Sequence, residues 1–146
     1  MYLHRPPRIK VLEALGAIAD GRVKVLNGKA KVVSSEGDRE YDVCVDLERR
    51  VAYSTDNGTH YRNYVGYPII AVLMLKGVLP FDERLSQALK GIPWRKLNEE
   101  YKKYAKVMEI IFDELDRKGI RREEVERYID EVMEKLRELK LRKGKC

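Results

Sequence analysis

The sequence holds few of the residues from which catalytic and metal centres are usually built. It has two histidines, His4 and His60, and two cysteines, Cys44 and Cys146. These are scattered, and a lone imidazole does not make a metal site. Tryptophan occurs once, at Trp94, and glutamine once, at Gln87. No phosphate-binding glycine motif is present, because Gly28, Gly37 and Gly58 stand singly at turn-like positions. The longest apolar run, YPIIAVLML from Tyr67 to Leu75, is nine residues. A helix needs about 20 to cross a bilayer, so no membrane role is expected. The opening MYLHRPPR has no apolar stretch of the kind that marks a secretory leader. Cys44 lies inside the strand-like YDVCVDL, where a free cysteine behaves as a small hydrophobe. Cys146 is the last residue and is expected to be mobile. The two are therefore expected to be unpaired, which points to a reducing cytoplasm.

What the chain does have is charge. Charged residues make up 37% of its 146 positions, well above the usual quarter or so. Both signs are interspersed, a composition that suits surface ion-pair networks and a thermophilic source. The net charge is +6. A basic balance of this kind raises nucleic acid as a partner. The plainer alternative is a solvated, ion-paired face. Apolar residues reach 44%, enough to build a core.

The pattern of apolar residues divides the chain into a first part, 1–93, and a second, 94–146. Ile9, Leu12, Leu15, Ile18 and Ala19 recur at helical spacing, and Gly21 is placed to stop that helix. Asn27-Gly28 between β-branched runs signals a tight hairpin. In YDVCVDL, Tyr41, Val43 and Val45 alternate with polar positions, and VAYST follows after another turn. A four-stranded antiparallel meander is expected. Residues 56–65 read as a polar loop. Pro68 then opens a helix apolar on all sides, hence buried, and LPFDERLSQALKG forms another. Beyond Pro93, Leu97, Tyr101, Tyr104, Met108, Ile111 and Leu115 form one heptad-type stripe. Val125, Ile129, Val132, Leu136 and Leu139 form a second. The short link at Gly119 predicts an antiparallel helical hairpin with a basic tail, LRKGKC. The predicted class is thus α+β: a helix, a small meander and a buried helix, followed by the hairpin.

The residues from Ile9 to Gly77 resemble the SWIM zinc-finger domain. The D-G-R-V-K step at Asp20 to Lys24 fits. So does V-x-S-S-x-G-x-x-Y-x-V at Val33 to Val43, with a one-residue shift at its start. The helix motif H-I-x-A-x-L is matched by Pro68, Ile69, Ile70, Ala71, Val72 and Leu73, and Thr55-Asp56 stands where Pro-Asp is usual. In that family a C-x-C pair follows the last strand and a C-x-H pair opens the helix. The matching positions here are Ala52, Ser54, Gly66 and Pro68. None of these can hold zinc tetrahedrally, so no metal and no cofactor is expected. Tyr53, Tyr61, Tyr64 and Tyr67 surround the vacated positions, and a packed tyrosine cluster is expected as the replacement clamp.

The resemblance implies binding to protein or DNA rather than catalysis. The first expectation is a non-catalytic protein-interaction or scaffolding module. The alternative is a nucleic-acid binder that uses Lys29, Lys31, Arg39, Arg49, Arg50 and Arg62 with Tyr61 and Tyr64. Asp42, Asp46 and Glu48 could instead neutralise those cations. Cys44, Asp56 and His60 could in principle form a nucleophile constellation, but no motif surrounds them. The hairpin stripes suit packing within the chain or a homodimer seam carrying Tyr101, Tyr104 and Tyr128.

Overall fold

The computed structural model describes the whole chain, residues 1–146, and its architecture is α+β. Helix α1 (Ile9–Ala19) leads into strands β1 (Val23–Leu26), β2 (Lys29–Val33), β3 (Glu40–Asp46) and β4 (Val51–Ser54). These pair in chain order as an antiparallel meander. The β1–β2 turn has Asn27 at φ 41° and Gly28 at φ 81°. Two successive positive φ angles are what a type I′ hairpin turn demands, and Asn-Gly supplies them at low cost. Alternation along the strands sorts the side chains. Ala30, Val32, Val43 and Val45 face inward and are buried. Lys29, Lys31, Asp42, Cys44 and Tyr53 share the outer face.

One helix, α3 (Tyr67–Leu75), covers the inner face of the sheet, and α1 packs on that helix. Helix α3 starts at Pro68 and is enclosed from Pro68 through Met74, as its uniform apolarity predicts. Helix α1 is more deeply enclosed than its one-sided spacing predicts, because α3 and α4 (Glu83–Ala88) both pack on it. Even Glu13 is inside. One contiguous core runs from Ile9 to Leu141 and draws residues from both sides of Pro93.

The second half departs from the expected two-helix hairpin. Its first stripe is carried by two helices, α5 (Trp94–Tyr101) and α6 (Tyr104–Arg117). The break falls at Lys102, which adopts φ 57°, and Lys103 is extended. On α6 the buried positions are Val107, Ile111, Phe112 and Leu115, so the helix is rotated from the predicted seam. Helix α7 (Arg122–Leu139) buries Val125, Ile129, Val132 and Leu136 as expected, and Tyr128 and Met133 besides. Its second side is covered from within the chain. The Tyr128 hydroxyl donates to the Pro80 carbonyl at 2.6 Å, and Arg8 bonds Asp130 at 2.8 Å.

The C-terminal tail corrects two expectations. Residues Arg142–Lys143 form β5, which adds to β4 in parallel and completes a five-stranded sheet. The Arg142 and Gly144 amides donate to the Arg50 and Ala52 carbonyls at 2.8 and 3.2 Å. Cys146 is joined to Cys44 by a disulfide, with Cα atoms 6.0 Å apart. The tail is fixed, not free, and the cysteines no longer argue for a reducing compartment. A short tail strand with only two paired positions lies below what periodicity can reveal.

The tyrosine clamp is also corrected. Tyr53 meets His60, Tyr67 meets Tyr41, and Tyr61 is largely exposed beside His60. The junction of β4 with α3 is instead tied by hydrogen bonds through the one-turn helix α2 (Asn57–His60). The Asp56 carboxylate caps α2, accepting from the Thr59 amide at 3.4 Å. The Thr59 hydroxyl accepts from the Gly66 amide at 3.1 Å and donates to the Tyr64 carbonyl at 3.0 Å. A Cβ on Gly66 would fall on the Asp56 carboxylate, so only glycine allows this approach. Thr59 is fully buried. Thr59→Val keeps its shape but orphans both backbone groups, and is expected to cost about 2–3 kcal/mol in urea unfolding. An unchanged midpoint would show that the hydroxyl holds nothing.

Candidate functional site: a polar cleft

The connections at one end of the sheet meet α1 and α5 around a cleft of about 280 Å³. Helix α1 contributes Lys10 and Glu13, which lie on one helix face at i, i+3 spacing. The β2–β3 connection contributes Ser34, Ser35 and Arg39, and β3 contributes Tyr41. The α2 segment contributes Asp56 and Gly58, followed by Arg62, Tyr64 and Tyr67. Helix α5 contributes Trp94, Arg95 and Asn98, and α6 begins with Tyr104.

The interior of the cleft is a buried polar network. Lys10 Nζ lies 2.9 Å from Glu13 Oε2, with the two side chains only 12% and 5% exposed. The contact is an ion pair more than a well-directed hydrogen bond. Asn98 Nδ2 donates to Glu13 Oε1 at 3.4 Å. The Lys10 ammonium also sits 5.0 Å from the centre of the Tyr104 ring. Burial works to lower the Lys10 pKa, but Glu13, Tyr64 and Tyr104 outweigh it and hold the ammonium above the usual lysine value. Burial raises Tyr64 and Tyr67 above the usual tyrosine value, with Lys10 and Arg22 respectively pulling the other way. At neutral pH Lys10 is therefore charged, and both phenols keep their protons. These three groups suit holding a ligand better than exchanging protons with it.

Five cations line the cleft, and their partners distinguish them. Lys10 is paired with Glu13. Arg22 bonds Asp20 at 3.1 Å and the Val33 carbonyl at 2.7 Å. Arg95 bonds Asp38 and lies 3.3 Å from Glu99. Arg39 and Arg62 have no acidic partner, and both are exposed. Two acceptors in the lining are also unmatched: Asp56 Oδ1, on a residue only 6% exposed, and Asn98 Oδ1.

Of the binding residues expected from sequence, the fold brings Arg39, Arg62 and Tyr64 together here and sends the rest elsewhere. Lys29 and Lys31 are on the outer sheet face, where Lys31 is held between Glu40 and Asp42 at 3.2 and 3.0 Å. Arg49 is 3.9 Å from Asp46. Arg50 sits in the β3–β4 turn at φ 55° and donates to the Leu139 carbonyl at 3.3 Å. Tyr61 is 73% exposed. Tyr101 and Tyr104 are at the surface, Tyr104 on the cleft, whereas Tyr128 is interior and cannot line a seam. The Cys44, Asp56, His60 constellation does not assemble. Cys44 is in the disulfide, and His60 bonds Tyr53 away from the cleft lining. No group of three or more His, Cys, Asp or Glu is placed to hold a metal ion. No helix is long and apolar enough to cross a membrane.

Sequence reasoning missed Lys10, Glu13, Arg22, Arg95 and Asn98. Glu13 carried the one available signal, an acid within an otherwise apolar stretch, EALGAIA.

A family model spans residues 3–142 and so covers every element that builds the cleft. The chain belongs to the family described as uncharacterised conserved protein UCP014422. No curated protein and no solved structure matches it. Family membership thus comes with no assigned chemistry, and the functional reading rests on the cleft.

Proposed function

We propose that the protein is a non-catalytic interaction module and that the cleft is its working surface. The observation that carries this reading is the pair of unmatched guanidiniums, Arg39 and Arg62, at a cleft whose other cations are paired. Guanidinium is built to grip carboxylate or phosphate in a fork. A cleft of about 280 Å³ takes one anchoring group, not an extended chain. A partner protein offering an acidic anchor fits this geometry. The order of helix, meander and helix supports the likeness to SWIM domains, and with it an interaction role.

The nucleic-acid reading draws support from Tyr64 beside the same two arginines. It lacks a continuous cationic track, since Lys31 and Arg49 are matched by acids. Affinity capture from source lysate, with and without nuclease, separates the two. The bound species is expected to survive nuclease and to be lost with Arg39→Ala/Arg62→Ala. Retention unchanged by that double substitution would remove the cleft from the account.

A further inference from the structure

The cleft is bipartite, and that narrows what it can hold. At its mouth stand the two unmatched cations, Arg39 and Arg62. Its interior holds the Lys10–Glu13 pair, the unmatched Trp94 indole N–H and two acceptors without partners, Asp56 Oδ1 and Asn98 Oδ1. A simple anion would satisfy the arginines but would leave Asp56 Oδ1 and Asn98 Oδ1 unmatched. A ligand that fits both ends carries a negative group on one side and N–H donors on the other. The walls add a third requirement. Tyr41 and Tyr67 stand edge to face, 6.3 Å between ring centres, with Tyr64 and Tyr104 on the neighbouring segments. Aromatic walls favour a flat ring.

Resting on the reading of the cleft as the working surface, the geometry points to a nucleoside monophosphate as its ligand, with a base bearing an exocyclic amino group. The phosphate meets Arg39 and Arg62. The base lies among the tyrosines and donates its N–H groups to Asp56 and Asn98. The volume suits one nucleotide, not a strand. Nothing in this assignment requires a bond to be made or broken.

Calorimetric titration of the full, disulfide-bonded chain tests it, with adenosine monophosphate, adenosine, inosine monophosphate and inorganic phosphate as separate probes. Adenosine monophosphate is expected to bind at least about tenfold more tightly than adenosine or phosphate alone, because each fragment leaves one end of the cleft unmatched. Inosine monophosphate, which replaces the amino group with an acceptor, is expected to bind about tenfold more weakly. Arg39→Ala/Arg62→Ala, checked for folding by circular dichroism, is expected to weaken the nucleotide by about tenfold or more. Asp56→Asn is avoided because Asp56 caps α2. Asn98→Ala serves as the interior variant and is expected to erase the preference for adenosine monophosphate over inosine monophosphate. The assignment is overturned if no mononucleotide binds the wild type, if the arginine variant binds equally, or if phosphate alone binds as tightly. Tighter binding of a single-stranded oligonucleotide would overturn it in favour of nucleic acid. If lysate capture depends on the two arginines while mononucleotides fail, only the ligand is wrong. If neither depends on them, the cleft reading falls too.

Discussion

Removing the Cys44–Cys146 disulfide is expected to lower the unfolding free energy by about 4–5 kcal/mol. The bridge closes a loop with a sequence separation of 102 residues in a chain of 146. In the chain-entropy picture a cross-link of that span removes a large share of the unfolded chain's freedom. The bridge also holds the tail whose β5 pairs with β4 and whose Gly144 amide donates to Ala52. Denaturant unfolding of the wild type, with and without reductant, and of Cys44→Ser/Cys146→Ser measures the effect. Coincident midpoints in all three would show that the bridge contributes nothing to stability. A midpoint lowered by reductant in the serine variant as well would point to a cause other than this disulfide.

The second large effect is expected at the buried ion pair. Glu13→Leu leaves the Lys10 ammonium enclosed without its counter-charge, and is expected to cost about 3–5 kcal/mol. The double variant Lys10→Met/Glu13→Leu removes both charges and nearly conserves volume, so it is expected to recover most of that loss. This contrast separates the pair's mutual dependence from its net worth. Two costs that simply add would show that the charges do not depend on each other. A double variant that is stable yet fails to bind the nucleotide would place the pair in ligand recognition rather than in holding the fold.

The elements that were legible in the sequence are those with strong local signals. Asn27-Gly28 marks its hairpin, Pro68 and Gly77 bracket α3, and the alternation through Val43 and Val45 sets the inner face of β3. The features that were not legible depend on contacts distant in sequence. The break at Lys102 falls within an unbroken heptad spacing, because tertiary packing of α5 and α6 overrides the pattern. Tyr128 reads as an interface residue until the Pro80 carbonyl is seen to accept its hydroxyl. The cysteine pair is invisible to spacing alone, since only the return of the tail along β4 brings Cys146 to Cys44. The cleft was half legible. Arg39, Arg62 and Tyr64 stand out as cations and an aromatic in a turn-rich region. The partners that give them meaning come from α1 and α5, and no local pattern links those segments.

The most direct measurement is an amide and indole NMR titration of the full chain with adenosine monophosphate. The account predicts shifts at the Trp94 indole and at the amides of Ser34, Ser35, Asn57 and Gly58, all of which line the cleft. The outer-face amides of Lys29, Lys31 and Tyr53 should stay still. Shifts confined to that outer face, with the cleft silent, would contradict it.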